Sequence, residues 1–422
     1  MLYYTIIMTF VGEAIFYIFS FLSLYVQVFF LVTFLENKDK IVVRKGEIKL
    51  GHYPSVTVIV PSFNEENTIY KTVLSLLDLN YPKDKLKILL VDDGSTDGTW
   101  NIIKKFDNCP NIKIFQKENG GKYTALNLGL SHLETDFVGC LDADSFVEKE
   151  SLMRIMSYFE RDQDTMAVAP SIIATNSKNI VQKAQKAEYE LVSVYIKKML
   201  GFLGAIHITP GPFTIFKRKV FDDLGPYRHA YNTEDMEIAC RMQKNHYKIE
   251  QCNDAYVYTN TPPTIKKLYK QRVRWIYGFI NNTIDYRKII FRKKYGNFSL
   301  FTMPSNIISI FAISYLFARM IYDFGVFLSL KITQFETIGF NFPSKTNFLD
   351  PFFINTHSIL FISVVLYSLM ILSIMLGKRM VEGKWIFSVN IVYFVIISSL
   401  TAPFCFLKAI YNTIISRQPN WR

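Results

Sequence analysis

Long apolar runs at both ends of the chain enclose a polar, charged middle, and this distribution limits the architecture more than any other feature. Each run is about as long as the roughly 20 helical residues that cross the hydrocarbon core of a bilayer. The runs are Ile15–Leu35, Pro304–Leu330, Phe352–Leu376 and Trp385–Leu407. The sequence therefore predicts four membrane-spanning helices around one soluble domain.

The overall composition is an average over these two kinds of segment. Half of the 422 residues are hydrophobic, yet 20% are charged and the net charge is +12. Such a chain is too apolar for a disordered or ordinary soluble protein and too charged for one that lies wholly in lipid. The five cysteines have no CxxC spacing and indicate neither a disulfide framework nor a zinc site.

These shifts in composition divide the chain into four segments. We predict an N-terminal transmembrane helix in residues 1–36, a cytoplasmic domain in 52–262, amphipathic interfacial helices in 263–297 and about three transmembrane helices in 298–422. Basic residues directly after the first span place the domain in the cytoplasm by the positive-inside rule. The charges around the last span conflict with this alternation, so the side of the C-terminus stays open.

Residues 266–294 form a basic cluster with two interpretations. They contain ten lysines and arginines and a single acid, Asp285, as a nucleic-acid surface would. Large apolar residues interleave with these charges, however, and the segment leads into a span. We therefore expect helices on the anionic cytoplasmic leaflet, with membrane lipids and not nucleic acid as the partner.

The middle segment alternates strand and helix patterns, which predicts an α/β domain with a mostly parallel sheet. The predicted strands are Val56–Val60, Lys87–Val91, Ile112–Phe115 and Phe137–Leu141, with helices over about 65–79, from 97 and over 123–130. In such sheets ligands bind beyond the carboxyl ends of the strands. Polar residues stand at three of those ends: Asn64, Glu65, Asp92, Asp93, Asp142 and Asp144. This pattern predicts a metal or a hydrogen-bonded ligand.

Several enzyme classes lack their motifs here. The sequence has no GxGxxG after its first strand, no GxxxxGK[ST] and no HExxH. A dinucleotide oxidoreductase and a P-loop ATPase are therefore disfavoured.

Asp142 and Asp144 stand two residues apart at the end of a predicted strand. If the chain bends there, both carboxylates aim at one point. Hard oxygen ligands suit Mg²⁺ or Mn²⁺, which in turn bind a diphosphate. A lone DxD is common in loops, but Asp92 and Asp93 after an equivalent strand support the metal site.

Thr233, Glu234 and Asp235 open a predicted helix. The helix dipole favours acidic residues in the first turn, so stabilisation of the helix start alone explains them, with Asn232 or Thr233 as the N-cap. The alternative is catalytic. The dipole would keep Asp235 ionised, as a general base requires.

Gln271, Arg272, Arg274 and Trp275 lie within the basic cluster. Arg274 can neutralise diphosphate oxygens, and Trp275 offers a flat face for a sugar ring. An interfacial anchor is the other interpretation, since tryptophan and arginine are common at the headgroup level.

Five motifs in this order resemble the membrane-embedded, processive family 2 glycosyltransferases, the synthases of cellulose, chitin, hyaluronan and poly-N-acetylglucosamine. The motifs are Pro61-Ser-Phe-Asn-Glu65, Val91-Asp-Asp-Gly-Ser-Thr-Asp-Gly98, Leu141-Asp-Ala-Asp144, Thr233-Glu-Asp235 and Gln271-Arg-Val-Arg-Trp275. The resemblance covers residues 55–278 and implies a GT-A domain that binds a nucleotide sugar.

The resemblance also implies a role for each matching residue. Nucleoside contacts fall on Ser62, Glu65, Asp92 and Asp93, a donor contact on Lys122, donor and metal contacts on Asp142 and Asp144, the catalytic pair on Glu234 and Asp235, and diphosphate and acceptor contacts on Gln271, Arg272, Arg274 and Trp275. Within these sets Asp144 is the direct ligand of Mg²⁺ or Mn²⁺, and Asp235 is the base.

The implied activity is inverting transfer of a sugar from a UDP-sugar, with N-acetylglucosamine or glucose as the sugar. The acceptor is the non-reducing end of a growing β-linked polysaccharide at the cell membrane. Transfer of one sugar to a membrane lipid is the alternative, and an inactive scaffold is a third. Four spans are few for a complete translocation channel, so a homo-oligomer or an export partner stays open.

Overall fold

The computed structural model describes residues 2–41, 48, 50–338 and 358–419. The chain forms two compact units. One combines Met1–Val32 with Ser305–Leu372, and the other combines Thr33–Pro304 with Ser373–Arg422. The second unit contains the α/β domain and every predicted site residue.

Eight strands form a single sheet in the second unit. They are β1 (Val56–Ser62), β2 (Leu86–Asp92), β3 (Ile112–Gln116), β4 (Phe137–Cys140), β5 (Ser145–Val147), β6 (Thr165–Thr175), β7 (Ile215–Lys217) and β8 (Lys248–Asn260). Their order across the sheet is β3-β2-β1-β4-β7-β6-β8-β5. Strands β1 to β4 are parallel to one another, and β6 is parallel to β8. Strand β7 runs antiparallel to its neighbours β4 and β6, and β5 runs antiparallel to β8. The predicted mostly parallel α/β sheet is confirmed.

The described residues of the two units also form α-helices. They are α1 (Leu2–Glu36), α2 (Ile69–Leu77), α3 (Thr99–Ile103), α4 (Lys122–Ser131), α5 (Ser151–Arg161), α6 (Ile180–Tyr189), α7 (Lys197–Phe202), α8 (Lys219–Leu224), α9 (Glu234–Lys244), α10 (Ile265–Asp285), α11 (Met303–Ile338), α12 (Ser358–Glu382) and α13 (Val389–Ile414). A π-helical turn, Glu190–Ile196, joins α6 to α7.

The central strands form because their sequences can be buried on both faces. All seven residues of β1 are buried, and β2 is buried except at Lys87. Continuous apolar runs of this kind are typical of parallel strands covered on both sides. In α2, by contrast, the buried residues Ile69, Val73 and Leu76 recur at helical spacing, so one face of the helix covers the sheet.

The four predicted strands and the helix after Gly121 are confirmed, but two helices are shorter than predicted. The helix expected over 65–79 begins only at Ile69, because the chain first turns at Asn64, whose φ is 54°. The helix expected from 97 spans Thr99–Ile103.

Four helical segments are long and apolar enough to cross a membrane: Gly12–Glu36, Phe298–Thr337, Phe361–Glu382 and Val389–Ile414. The start of the predicted third span, residues 352–357, lies outside the described residues. The last segment, α13, packs against α6 and α10 of its own unit. Its buried residues include Cys405, Ala409 and Asn412.

Candidate active site

Polar groups at the carboxyl ends of β1 and β2 lie side by side. Ser62, the last residue of β1, is in register with Asp92, the last residue of β2, and both are buried. Among the described residues neither the Ser62 hydroxyl nor Asp92 Oδ1 has a hydrogen-bond partner, whereas Asp92 Oδ2 accepts from Gln116 Nε2 at 3.2 Å. Because buried polar atoms nearly always have partners, both atoms fit contacts to a ligand.

The Asp93 carboxylate organises the turn before α4. Its oxygens lie 2.6 Å from Lys117 Nζ and accept the backbone N–H groups of Gly120 and Gly121 at 3.1 and 2.9 Å. These bonds fix the start of α4, where Lys122 stands. Both oxygens of Asp93 thus have partners within the protein. Its contact with a nucleoside stays a prediction.

The carboxylates that follow β1 and β4 affect one another electrostatically. Burial raises the pKa of Asp144 to about 7, and the charges of Asp142 and Glu65 add to this effect. Glu65 is oriented by the Thr68 hydroxyl, which donates to Glu65 Oε2 at 2.8 Å. A bound cation would relieve this crowding of negative charge.

The donor atoms at this point are hard oxygens, which suit Mg²⁺ or Mn²⁺. In the part of the chain that the structure describes, no three Asp, Glu, His or Cys side chains form a metal cage. Mg²⁺ commonly takes one or two carboxylates and completes its shell with water and substrate phosphates. Asp142 and Asp144 therefore fit a cation that is shared with a phosphorylated substrate.

Lys122 forms an ion triad with Asp142 and Glu234. Its Nζ lies 2.6 Å from Asp142 Oδ1 and 3.2 Å from Glu234 Oε1, and the lysine and glutamate side chains are only 13% and 5% exposed. Burial alone would lower the pKa of Lys122, but Asp142 and Glu234 outweigh it and hold the pKa well above the ordinary value. Lys122 thus stays charged and joins β4, α4 and α9.

Asp235 stands beside this triad, in the first turn of α9. Its Oδ1 accepts the backbone N–H of Met236 at 2.9 Å. Burial raises the pKa of Asp235 to about 6 and Glu234 adds to this, while Lys122 and Arg274 oppose it. The expectation that the helix dipole keeps Asp235 ionised therefore holds only above about pH 6.

Helix capping explains few of the contacts of Glu234 and Asp235. Thr233 occupies the N-cap position, but its hydroxyl makes no capping bond. It donates instead to the Ala230 carbonyl at 2.8 Å and accepts from Asn282 Nδ2 at 2.9 Å. Glu234 is paired with Lys122, so only Oδ1 of Asp235 serves a backbone N–H of the helix.

The structure brings one residue of the basic motif to this cluster. Arg274 Nη1 donates to the carbonyl of Asn232 at 2.9 Å, three residues before Asp235. Its charge lowers the pKa of Asp235, against the larger effects of burial and Glu234. A contact of Arg274 with a diphosphate stays a prediction.

The contacts of Arg272 are with other side chains of the protein. Its Nη2 lies 2.7 Å from Glu188 Oε2, which ties α10 to α6, and its Nη1 donates to Gln271 Oε1 at 3.1 Å. The guanidinium also covers the Trp275 ring at 4.3 Å from the ring centroid. Trp275 remains 37% exposed. Contacts of Gln271, Arg272 and Trp275 with a substrate stay predictions.

The loop before β7 was not predicted to be part of the site. Thr209, Pro210 and Gly211 line a cavity of about 10 Å³ together with Lys122 and Asp235. A methyl group on Gly211 would lie 2.6 Å from Lys122 Nζ, so this loop passes directly over the triad. Pro210-Gly211-Pro212 is a turn signal in the sequence, but a turn signal does not tell which part of the fold the turn approaches.

Comparisons with known proteins point to one family of enzymes. The model of the family "Glycosyl transferase family 2" matches residues 57–225. The chain is 32% identical over 236 residues to a poly-beta-1,6-N-acetyl-D-glucosamine synthase of Staphylococcus aureus (strain MSSA476), covering 56% of this chain and 57% of that protein. The synthase of Staphylococcus epidermidis gives 32% over 224 residues, covering 53% and 54%. The chain thus spans just over half the length of these curated relatives.

A solved structure shows the same architecture. A mannosyltransferase from Pyrobaculum calidifontis, in complex with GDP-Man and Mn²⁺, aligns with a TM-score of 0.52 at 16% identity, covering 94% of this chain and 99% of that one. At this identity the likeness concerns the fold, which is a GT-A-like glycosyltransferase fold.

The triad generates a prediction about stability. Lys122→Met leaves the carboxylates of Asp142 and Glu234 without their cation, and removing one partner of a buried pair destabilises a protein by about 3–5 kcal/mol. We expect a clear fall in the thermal unfolding midpoint of the detergent-solubilised protein at neutral pH without divalent ions.

Lys149→Met is the matched control, since the Lys149–Asp78 pair is largely exposed, at 59% and 74%. It should change the free energy of unfolding by no more than about 0.5 kcal/mol. Equal midpoints for the two variants would contradict the structural role of Lys122.

Proposed function

We propose that this chain transfers a sugar from a UDP-sugar to the non-reducing end of a growing β-linked polysaccharide, since residues 57–225 match the model of family 2 glycosyltransferases. The observation that carries the proposal is the position of the Asp235 carboxylate, in the first turn of α9 and directly after Glu234 of the Lys122 triad. A general base next to a cation-rich leaving-group site is what inverting transfer requires.

The proposed donor is UDP-N-acetylglucosamine, with UDP-glucose as the second candidate. Two relatives with 32% identity are named as synthases of a polymer of N-acetylglucosamine, which supports this sugar. The nucleoside would lie over Ser62 and Asp92, whose buried oxygens have no partner in the described residues. Lys122 and Arg274 would face the diphosphate.

The transfer step follows from these positions. Asp235 takes the proton of the acceptor hydroxyl, whose oxygen attacks the anomeric carbon of the donor sugar. The bond from that carbon to the diphosphate oxygen breaks, and the electron pair leaves with UDP. Because attack and departure occur on opposite faces, the anomeric configuration inverts.

Mg²⁺ or Mn²⁺ would be held by Asp144 and Asp142, which fit a cation shared with the donor diphosphate. When bound, such an ion neutralises negative charge on the leaving group. Lys122 would add positive charge near the leaving group, because its ammonium stays charged inside the triad.

The proposed location is the cell membrane, with the catalytic domain on the cytoplasmic side. Four segments of suitable length and apolarity support the membrane, and the lysines and arginines after the first of them support the orientation. UDP-sugars would then reach the site from the cytoplasm.

Asp235→Asn tests the proposal. The amide cannot accept the acceptor proton, so we expect turnover to fall by about 10²–10⁴-fold, the usual contribution of a general base. Binding of UDP, measured by titration calorimetry, should stay within about threefold, because a base interacts mainly with the reacting hydroxyl.

Glu234→Gln is the matched control. Its amide oxygen still accepts from Lys122, so we expect it to lose less than about tenfold in turnover. If the Asp235→Asn protein turns over as fast as the Glu234→Gln protein, Asp235 is not the base.

The pH dependence gives a separate test. The pKa of Asp235 is about 6, raised chiefly by burial. Since only the ionised carboxylate accepts a proton, kcat/KM should fall about tenfold per pH unit below pH 6 and stay level above it. The measurement is the initial rate of UDP release across this range. A profile that is flat through pH 6 would exclude Asp235 as the titrating group.

A further inference from the structure

The turn that leads into α9, the helix of Asp235, has an unusual backbone conformation. Ala230, Tyr231 and Asn232 have φ values of 43°, 58° and 60°. Residues other than glycine seldom adopt this left-handed region, and three in succession persist only when their surroundings hold them. The turn ends three residues before Asp235, so whatever holds it also sets the position of that carboxylate.

One face of α10 contacts this turn. Arg274, Gly278, Asn282 and Asp285 follow at intervals of four, four and three residues and share one side of the helix. Arg274 Nη1 donates to the Asn232 carbonyl at 2.9 Å, and the Tyr231 hydroxyl donates to Asp285 Oδ2 at 3.1 Å.

Between these two contacts the helix and the turn approach closely. Asn282, which is buried, donates through Nδ2 to Thr233 Oγ1 at 2.9 Å and to the Gly278 carbonyl at 2.9 Å. A methyl group on Gly278 would lie 2.2 Å from Thr233 Oγ1 and 2.4 Å from Thr233 Cγ2. Any side chain at residue 278 must therefore push the turn away from the helix.

The turn also borders an open cleft. Arg228, His229 and Tyr231 line this cleft of about 770 Å³ together with Asn282 and Asp285 of α10 and with Tyr286. Because the cleft is open, it does not pack against the turn as a protein interior would. The turn is restrained by the hydrogen bonds with α10, by the close approach of that helix and by the contact of the Tyr231 and Tyr277 rings, whose centroids lie 6.0 Å apart.

We propose that this face of α10 is a positioning element for the catalytic base, with Gly278 and Asn282 as its positioning residues. The inference rests on the proposed function of Asp235. When the face is intact, it holds the left-handed turn and with it the start of α9. Since a misplacement of about 1 Å can cost about 100-fold in rate, a displaced turn slows transfer without removing any group that touches the donor.

Two variants and two matched controls test this. Gly278→Ala introduces the clash, and Asn282→Ala removes the bond to Thr233. Gly325→Ala places the same methyl group in α11, where nothing lies within 4 Å. Asn281→Ala changes the neighbouring amide, which faces away from the turn and donates to Thr413 Oγ1 at 3.2 Å.

Two quantities are measured on the full chain in detergent. The first is kcat and KM for UDP-N-acetylglucosamine. We expect kcat to fall at least about tenfold in Gly278→Ala and Asn282→Ala with KM within about threefold, and to change little in the controls. The second is hydrogen–deuterium exchange over residues 229–236, which should become faster in the two variants only.

A further variant guards against simple misfolding. Thr233→Ala removes the two closest atoms, so the double variant Gly278→Ala/Thr233→Ala should recover part of the lost kcat. Unchanged kcat, faster exchange without loss of kcat, or equal losses in the controls would each overturn the inference. If the unmodified chain transfers no sugar, the proposed function fails instead, and unchanged exchange would still refute the positioning element.

Discussion

The pairing of Lys122 with Asp142 and Glu234 is the interaction on which the rest of the site depends. Parallel strands deliver acidic residues to one edge of the sheet, and α9 brings two more, so negative charge gathers where little water is left. A single lysine with 13% exposure compensates two of these carboxylates and joins three elements, β4, α4 and α9. The two adjacent acids have different contacts: Glu234 pairs with Lys122, whereas Asp235 accepts a backbone N–H through Oδ1.

The second constraint is geometric and comes from α10. The same helix carries Arg274 toward the expected diphosphate and presses Gly278 and Asn282 against the turn before Asp235. Its Asn281 reaches Thr413 of α13, one of the segments apolar enough to cross a membrane. The helix that contacts the turn before Asp235 thus also packs against α13.

Much of the fold follows from the sequence because its strongest patterns are local. The buried parallel strands β1 and β2 are continuous apolar runs, and the acids after them mark the ligand edge of the sheet. The strands β6 and β8 are harder to predict, since β8 buries Gln251, Asn253 and Asp254 among its apolar residues. The partners of site residues are also not local. Arg272 meets Glu188 across 84 residues, and Asp93 meets Gly121 across 28, so spacing alone does not tell that these charges serve the scaffold.

The measurement that tests the account most directly is the size of the product. The purified chain would be incubated with radiolabelled UDP-N-acetylglucosamine and Mg²⁺ or Mn²⁺, with UDP-glucose and GDP-sugars in parallel, and the products would be separated by length and by extraction into chloroform. The account predicts label from UDP-N-acetylglucosamine in a ladder or polymer that stays in the aqueous phase. A single chloroform-soluble product would contradict it and favour transfer of one sugar to a lipid.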